Sequence, residues 1–194
     1  MTNSETMTDQ ELDATDGAWC DEVLGFWFGE LAFDQWWHKD AALDARIRER
    51  FLPLYEDVAS RPVAAAGARA ALATVIVLDQ FPRNMFRGDA RAYATDAQAR
   101  AVAKAAIASG QDQALSMNER LFLYMPLQHS EHLADQRHGV QLVSRLGDEN
   151  LTHFALAHLR IIKRFGRFPH RNAVLGRTSS AEEIASLAEP MGSF

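Results

Sequence analysis

Residues 75–88, reading V-I-V-L-D-Q-F-P-R-N-M-F-R-G, constrain the fold more than any other stretch of the chain. Four apolar residues in succession suit neither an exposed helix face nor a loop, so this segment must run through a core. Asp79 closes the run. A carboxylate there requires a partner, because burying a bare charge costs several kcal/mol. Leu72, Val75, Ile76 and Asp79 share one face of a helix, being separated by three, four and seven residues. The spacing predicts a central helix over 65–80, with Pro82 ending it and 83–88 forming a loop. Two later stretches carry the same mixture of apolar and charged residues, L-Q-H-S-E-H at 127–132 and R-F-G-R-F-P-H-R-N at 164–172.

Elsewhere the pattern is also helical. Asp16 can cap a helix over 19–28 that stops at Gly29, and Trp36 and Trp37 follow in a connector laid over the core. Asp40 caps a helix over 41–59, in which Leu43, Ile47, Phe51, Leu54 and Val58 recur on one face and Pro53 predicts a kink or a split. Thr95 with Gln98 and Ser116 with Glu119 read as capping boxes opening helices over 95–109 and 116–125. Further helices are expected over 127–146, ending at Gly147, and over 149–165, ending at Gly166. Ser180 with Glu183 caps a last short helix to about Ala188. No segment sustains the alternation of a strand, so the fold class is all-α, its short connectors favouring antiparallel helix pairs. Residues 1–15 read as a flexible tail, and 16–194 as a single all-α domain.

A net charge of -6 argues against a nucleic-acid partner, which a basic surface would serve. The lone cysteine, Cys20, permits no internal disulfide and suits a reducing compartment. The polar, acidic start is not a signal peptide, and no apolar run approaches the roughly 18 residues of a membrane span. These features predict a cytoplasmic protein with no membrane partner. No phosphate-binding loop or dinucleotide fingerprint is present, so no cofactor is implied.

The three stretches supply the candidate site. Asp79, His129, Glu131 and His170 are the candidates for acid–base chemistry, in which carboxylates orient the imidazoles. Arg83, Asn84, Arg87, Arg164, Arg167, Arg171 and Asn172 are the candidate ligand-binding groups, since guanidinium forks match anions. An alternative stands for each stretch. Asp79 and Arg83, four residues apart, suit a plain ion pair, and the later arginines suit a loop tied to carboxylates. His129 and His132 lie three apart but lack the spacing of zinc peptidases, so no metal site is expected. His158, between Phe154 and Ile161, reads as a core histidine with one satisfied nitrogen.

L-D-Q-F-P-R-N-M-F-R-G at 78–88, H-S-E at 129–131 with Asp135-Gln136, and R-F-G-R-F-P-H-R-N closely resemble a bacterial family, domain-of-unknown-function family 924. V-L-G-F-W-F-G at 23–29 and Leu175-Gly176-Arg177 resemble it too, so the likeness covers about 20–188. It implies a tetratricopeptide-like array of antiparallel helix pairs and no particular reaction. His132 departs from the acidic residue expected after H-S-E. The leading expectation is a small anionic ligand held by the arginines, with His129 and His170 as proton carriers. The rival is a scaffold for a protein partner or a second copy of the chain, in which the three stretches are a structural hydrogen-bond network.

Overall fold

The fold is given by a computed structural model that describes residues 9–62 and 67–192, the backbone alone for 9–16. Among the described residues the chain is helical, with no strand: α1 Asp9–Gly25, α2 Ala41–Ser60, α3 Ala68–Val75, α4 Phe81–Met85, α5 Asp96–Ala108, α6 Met117–Gln128, α7 Leu133–Ser144, α8 Glu149–Phe165 and α9 Ala181–Ser186. The expected tail falls partly outside these residues, and the expected helix start at 65 falls wholly outside them. The first helix begins at Asp9 and not at Asp16.

The central helix is buried on every side. Ala71, Leu72, Ala73, Val75, Ile76, Val77 and Leu78 are all 1% exposed or less. A helix apolar around its whole circumference must be enclosed, and here α1, α2, α5 and α6 enclose it. Phe26, Phe51, Phe81 and Phe122 pack around it, with the Phe51 and Phe81 rings stacked at 4.6 Å. Trp36 leans edge-on to Phe122 at 5.0 Å and donates its indole N–H to the Trp27 carbonyl, which seats Trp36 on the core as expected, whereas Trp37 is left exposed.

Pro82 does not end this helix. After α3 the backbone widens into a π-turn over Ile76–Gln80, and the Phe81 N–H reaches the Ile76 carbonyl before α4 continues to Met85. Proline lacks the N–H that would bond the Leu78 carbonyl. The Thr95 hydroxyl donates to that carbonyl instead, at 2.6 Å. The expected capping box at Thr95 is therefore not formed: its hydroxyl is spent on Leu78, and Gln98 donates to the Ala59 carbonyl. Thr95→Val should cost about 1–3 kcal/mol by orphaning a buried carbonyl, read as a lower urea midpoint at unchanged slope.

Two other prolines behave in the same way. Pro53 lies on the exposed side of an unbroken α2, and Pro126 lies inside α6, which ends a turn later than expected. Residues 129–132 thus form a connector to α7 and not the start of a helix. Caps read from sequence do form at Asp40, Ser116 and Ser180, and Gly166 closes α8 in the left-handed conformation at φ 70°. On α8, Phe154, one turn before the buried His158, is 48% exposed.

Candidate functional site

The π-turn holds Asp79 partway along the enclosed helix, where it is fully buried. The connector after α6 places His129 opposite, with Nδ1 2.9 Å from both carboxylate oxygens. Gln80 Nε2 donates to Asp79 Oδ2 at 2.6 Å, and Arg83 Nη1 lies 3.2 Å from Oδ1. Burial would raise the Asp79 carboxyl, but the Arg83 guanidinium and the bonds from His129 and Gln80 outweigh it and hold Asp79 well below the usual carboxylate range. His129 is lowered too, but here burial wins: burial first, then Arg83, outweigh the pull of Asp79. Asp79 is thus ionised and His129 neutral near pH 7. An ionised carboxylate only accepts, so His129 carries its proton on Nδ1 and its lone pair on Nε2. No described side chain bonds that Nε2.

Arg83 does not rest on Asp79 alone. Its fork engages both oxygens of Asp96, the first residue of α5, at 2.9 and 3.0 Å. Asp96 also accepts from Arg171 Nη1 at 3.4 Å. Arg171, 5% exposed, lies between the Tyr93 ring at 4.7 Å and the Phe168 ring at 4.4 Å. Its Nε is buried without a partner, as is His170 Nδ1 beside it. Burial and the neighbouring Arg83 lower the Arg171 guanidinium to about 10, so it stays charged at neutral pH. Burial, then Arg171, lowers His170 to about 4, and burial lowers His158 to about 3. The His158 ring stands 6.2 Å from that of His129 and 5.8 Å from Phe168, which joins the third stretch to the first two.

The structure therefore brings together Asp79, Arg83, His129, His170 and Arg171. Glu131 borders them: Arg177 forks onto its carboxylate at 2.8 and 3.0 Å, and the Phe168 N–H donates to it at 2.8 Å. The other candidates are elsewhere. Asn84 and Arg87 both bond Asp44, tying α4 to α2. Arg164 pairs with Glu182 and Glu189, and Arg167 forks onto Glu183. Asn172 is fully buried and donates to Ser179. His132 is exposed, and among the described residues no three His, Cys, Asp or Glu side chains converge as a metal site.

Sequence reasoning missed Asp96, Tyr93 and Arg177. Asp96 reads locally as a first-turn helix acid, and nothing in its neighbourhood signals that two distant arginines share it. Two surface clefts lie away from the centre. One is lined by Ser144, Asp148, Thr152 and Leu156, and the other by Arg160, Arg164, Phe165 and Met191.

What this arrangement offers chemically is an oriented base beside an under-coordinated cation. The carboxylate positions His129 without sharing its Nε2, and Arg171 adds positive charge in a site of low dielectric.

Comparisons with known proteins place the chain. It is similar to a solved structure from Agrobacterium tumefaciens, a protein of unknown function, with 38% identity and a TM-score of 0.80 over 90% of this chain and 99% of that one. No curated protein matches. The model of the family described as bacterial protein of unknown function, DUF924, matches residues 23–191. With nearly the whole helical domain matched, and the motifs that build the Asp79–His129 centre inside the match, the chain belongs to the DUF924 family.

Proposed function

We propose that the protein binds a small anionic ligand beside Arg171 and His170, with His129 as the proton acceptor and Asp79 as the group that orients it. The observation that carries this reading is the pair itself. A neutral imidazole is held 2.9 Å from both oxygens of a buried carboxylate, so its basic nitrogen faces away from the pair. Four of the arginines first expected to hold the ligand, Arg83, Arg87, Arg164 and Arg167, are already bonded to carboxylates of the protein. That narrows the anion contact to Arg171, whose Nε lacks a partner. The single cysteine suits a reducing, cytoplasmic setting.

A thermal-shift screen with small carboxylates and phosphates tests the reading. At a concentration 100 times its Kd, a ligand adds about 2.7 kcal/mol, a rise of roughly 5–10 °C for a chain of this length. Folded Arg171→Gln and His129→Gln variants should lose most of that rise. An equal rise in both variants, or no rise with any compound, would sink the reading.

A second reading keeps the tetratricopeptide-like scaffold, with a protein or a second copy of the chain as partner. Phe33 and Trp37 favour it: they lie side by side at 6.0 Å and are 62% and 42% exposed.

A further inference from the structure

At the centre of the constellation the charges cancel. Two guanidinium groups, Arg83 and Arg171, face two carboxylates, Asp79 and Asp96, through the contacts that link them in a chain. Glu131 at the border is matched by Arg177. Asp79 is fully buried, and the side chains of Arg171, Asp96 and His129 are 6%, 15% and 16% exposed. An anion arriving beside Arg171 adds a charge that nothing in this set compensates, and an uncompensated buried charge is strongly unfavourable. The cheapest compensation is a proton on a neighbouring group.

His129 is the group placed to take it. Its Nδ1–H already points at Asp79, so a second proton on Nε2 creates an imidazolium with a carboxylate on one side and the incoming anion on the other. The groups facing it are Asp79 and Arg83 from the central helix, Asp96 from α5, His158 from α8, and His170 from the 169–171 turn, with Arg171 next in the chain and bonded to the same Asp96. Of these, Asp79 and Asp96 favour the added charge, and an incoming anion would offset the opposition of Arg83. His170 is the poorer acceptor, being next to Arg171 with no carboxylate bonded to its ring. His158 spends Nδ1 on the Phe154 carbonyl, a weaker partner than a carboxylate.

We propose that the site takes up a small carboxylate together with one proton, and that the proton resides on Nε2 of His129. The balance is simple: one anion and one proton enter, one N–H bond forms, and the net charge of the centre stays at zero. A carboxylate fits better than a phosphate dianion, which would require two protons and would find a single under-coordinated guanidinium. This inference rests on the anion-binding reading above and deepens it.

The test is a pH-stat titration of the unbuffered protein with sodium acetate, sodium formate and inorganic phosphate, beside binding curves at pH 6.5, 7.5 and 8.5. One proton should be consumed per carboxylate bound, and affinity should fall about tenfold per pH unit over that range. His129→Gln, which can still donate to Asp79, should bind more weakly and consume no proton. The ring ¹⁵N resonances of His129 in the wild type give the same answer without a variant, moving from the neutral to the imidazolium positions on binding. Binding with no proton uptake, uptake unchanged in His129→Gln, or tighter binding of phosphate than of acetate would overturn the inference while leaving an anion site in place. Failure of every probe to bind would overturn the anion-binding reading and this inference with it.

Discussion

Asp79→Ala should lower the unfolding free energy by about 3–5 kcal/mol, roughly 6–20 °C in Tm for a chain of this length. The loss is large because the carboxylate is fully buried and receives Gln80, Arg83 and His129, and removing it strands all three. Stranded donors cost more than their bonds were worth. Asp79→Asn should be milder, about 1–3 kcal/mol, because one acceptor oxygen survives while the new amide meets a donor. Urea unfolding followed by tryptophan fluorescence measures both, since Trp27 lies in the core and Trp36 packs against it. A loss below about 1 kcal/mol for Asp79→Ala would mean that the carboxylate does not anchor the centre. The two variants also separate roles. A folded Asp79→Asn that no longer responds to ligand marks Asp79 as a positioning group, and one that responds normally confines it to stability. The pH sign follows from its depressed carboxyl. Its contribution is present above the unfolded value of about 3.9 and is lost only as pH falls toward its lowered folded value, so above pH 5 it is constant.

Acidification from pH 7 to pH 5 should therefore expose a different set of groups. His158 titrates near 3 in the folded protein and near 6.5 when unfolded, so the unfolded chain binds protons that the folded chain refuses. Stability is complete above pH 6.5 and declines as pH falls from there to the folded value. By pH 5 His158 alone should cost about 2 kcal/mol, at about 1.4 kcal/mol per pH unit. His170, lowered to about 4 but only partly buried, should add less. Most carboxylates remain ionised in this window, so the histidine effect stands nearly alone. His158→Leu should be less stable than wild type at pH 7, and the gap should narrow by about 2 kcal/mol at pH 5. Urea midpoints at the two pH values check this, and a gap that stays constant would show that His158 is not held neutral by burial.

Much of the fold was legible in local signals. Asp40, Ser116 and Ser180 mark helix starts because a capping side chain bonds backbone within three residues of itself, and Gly166 marks an end because only the local backbone decides it. The prolines and Thr95 misled for a matching reason. Pro82 would break a helix left to its own backbone, but a hydroxyl 17 residues along from Leu78 supplies the missing donor. That same hydroxyl is then unavailable for the cap its sequence neighbours suggest.

The site divides in the same way. Residue type and an apolar setting already marked Asp79, Arg83, His129, His170 and Arg171 as polar groups that must be buried and matched. Which group matches which was beyond the sequence. Arg87 and Arg83 lie four residues apart, yet one turns to Asp44 and the other to Asp96. Asp79 meets His129 across 50 residues, and Arg171 meets Asp96 across 75. By itself the sequence determined that this chain is all-α, that helices start after Asp40, Ser116 and Ser180, and which charged residues could not remain in water. The tertiary structure alone decided their partners, because an ion pair depends on distance in space and on the exclusion of water, and neither is a property of neighbours along the chain.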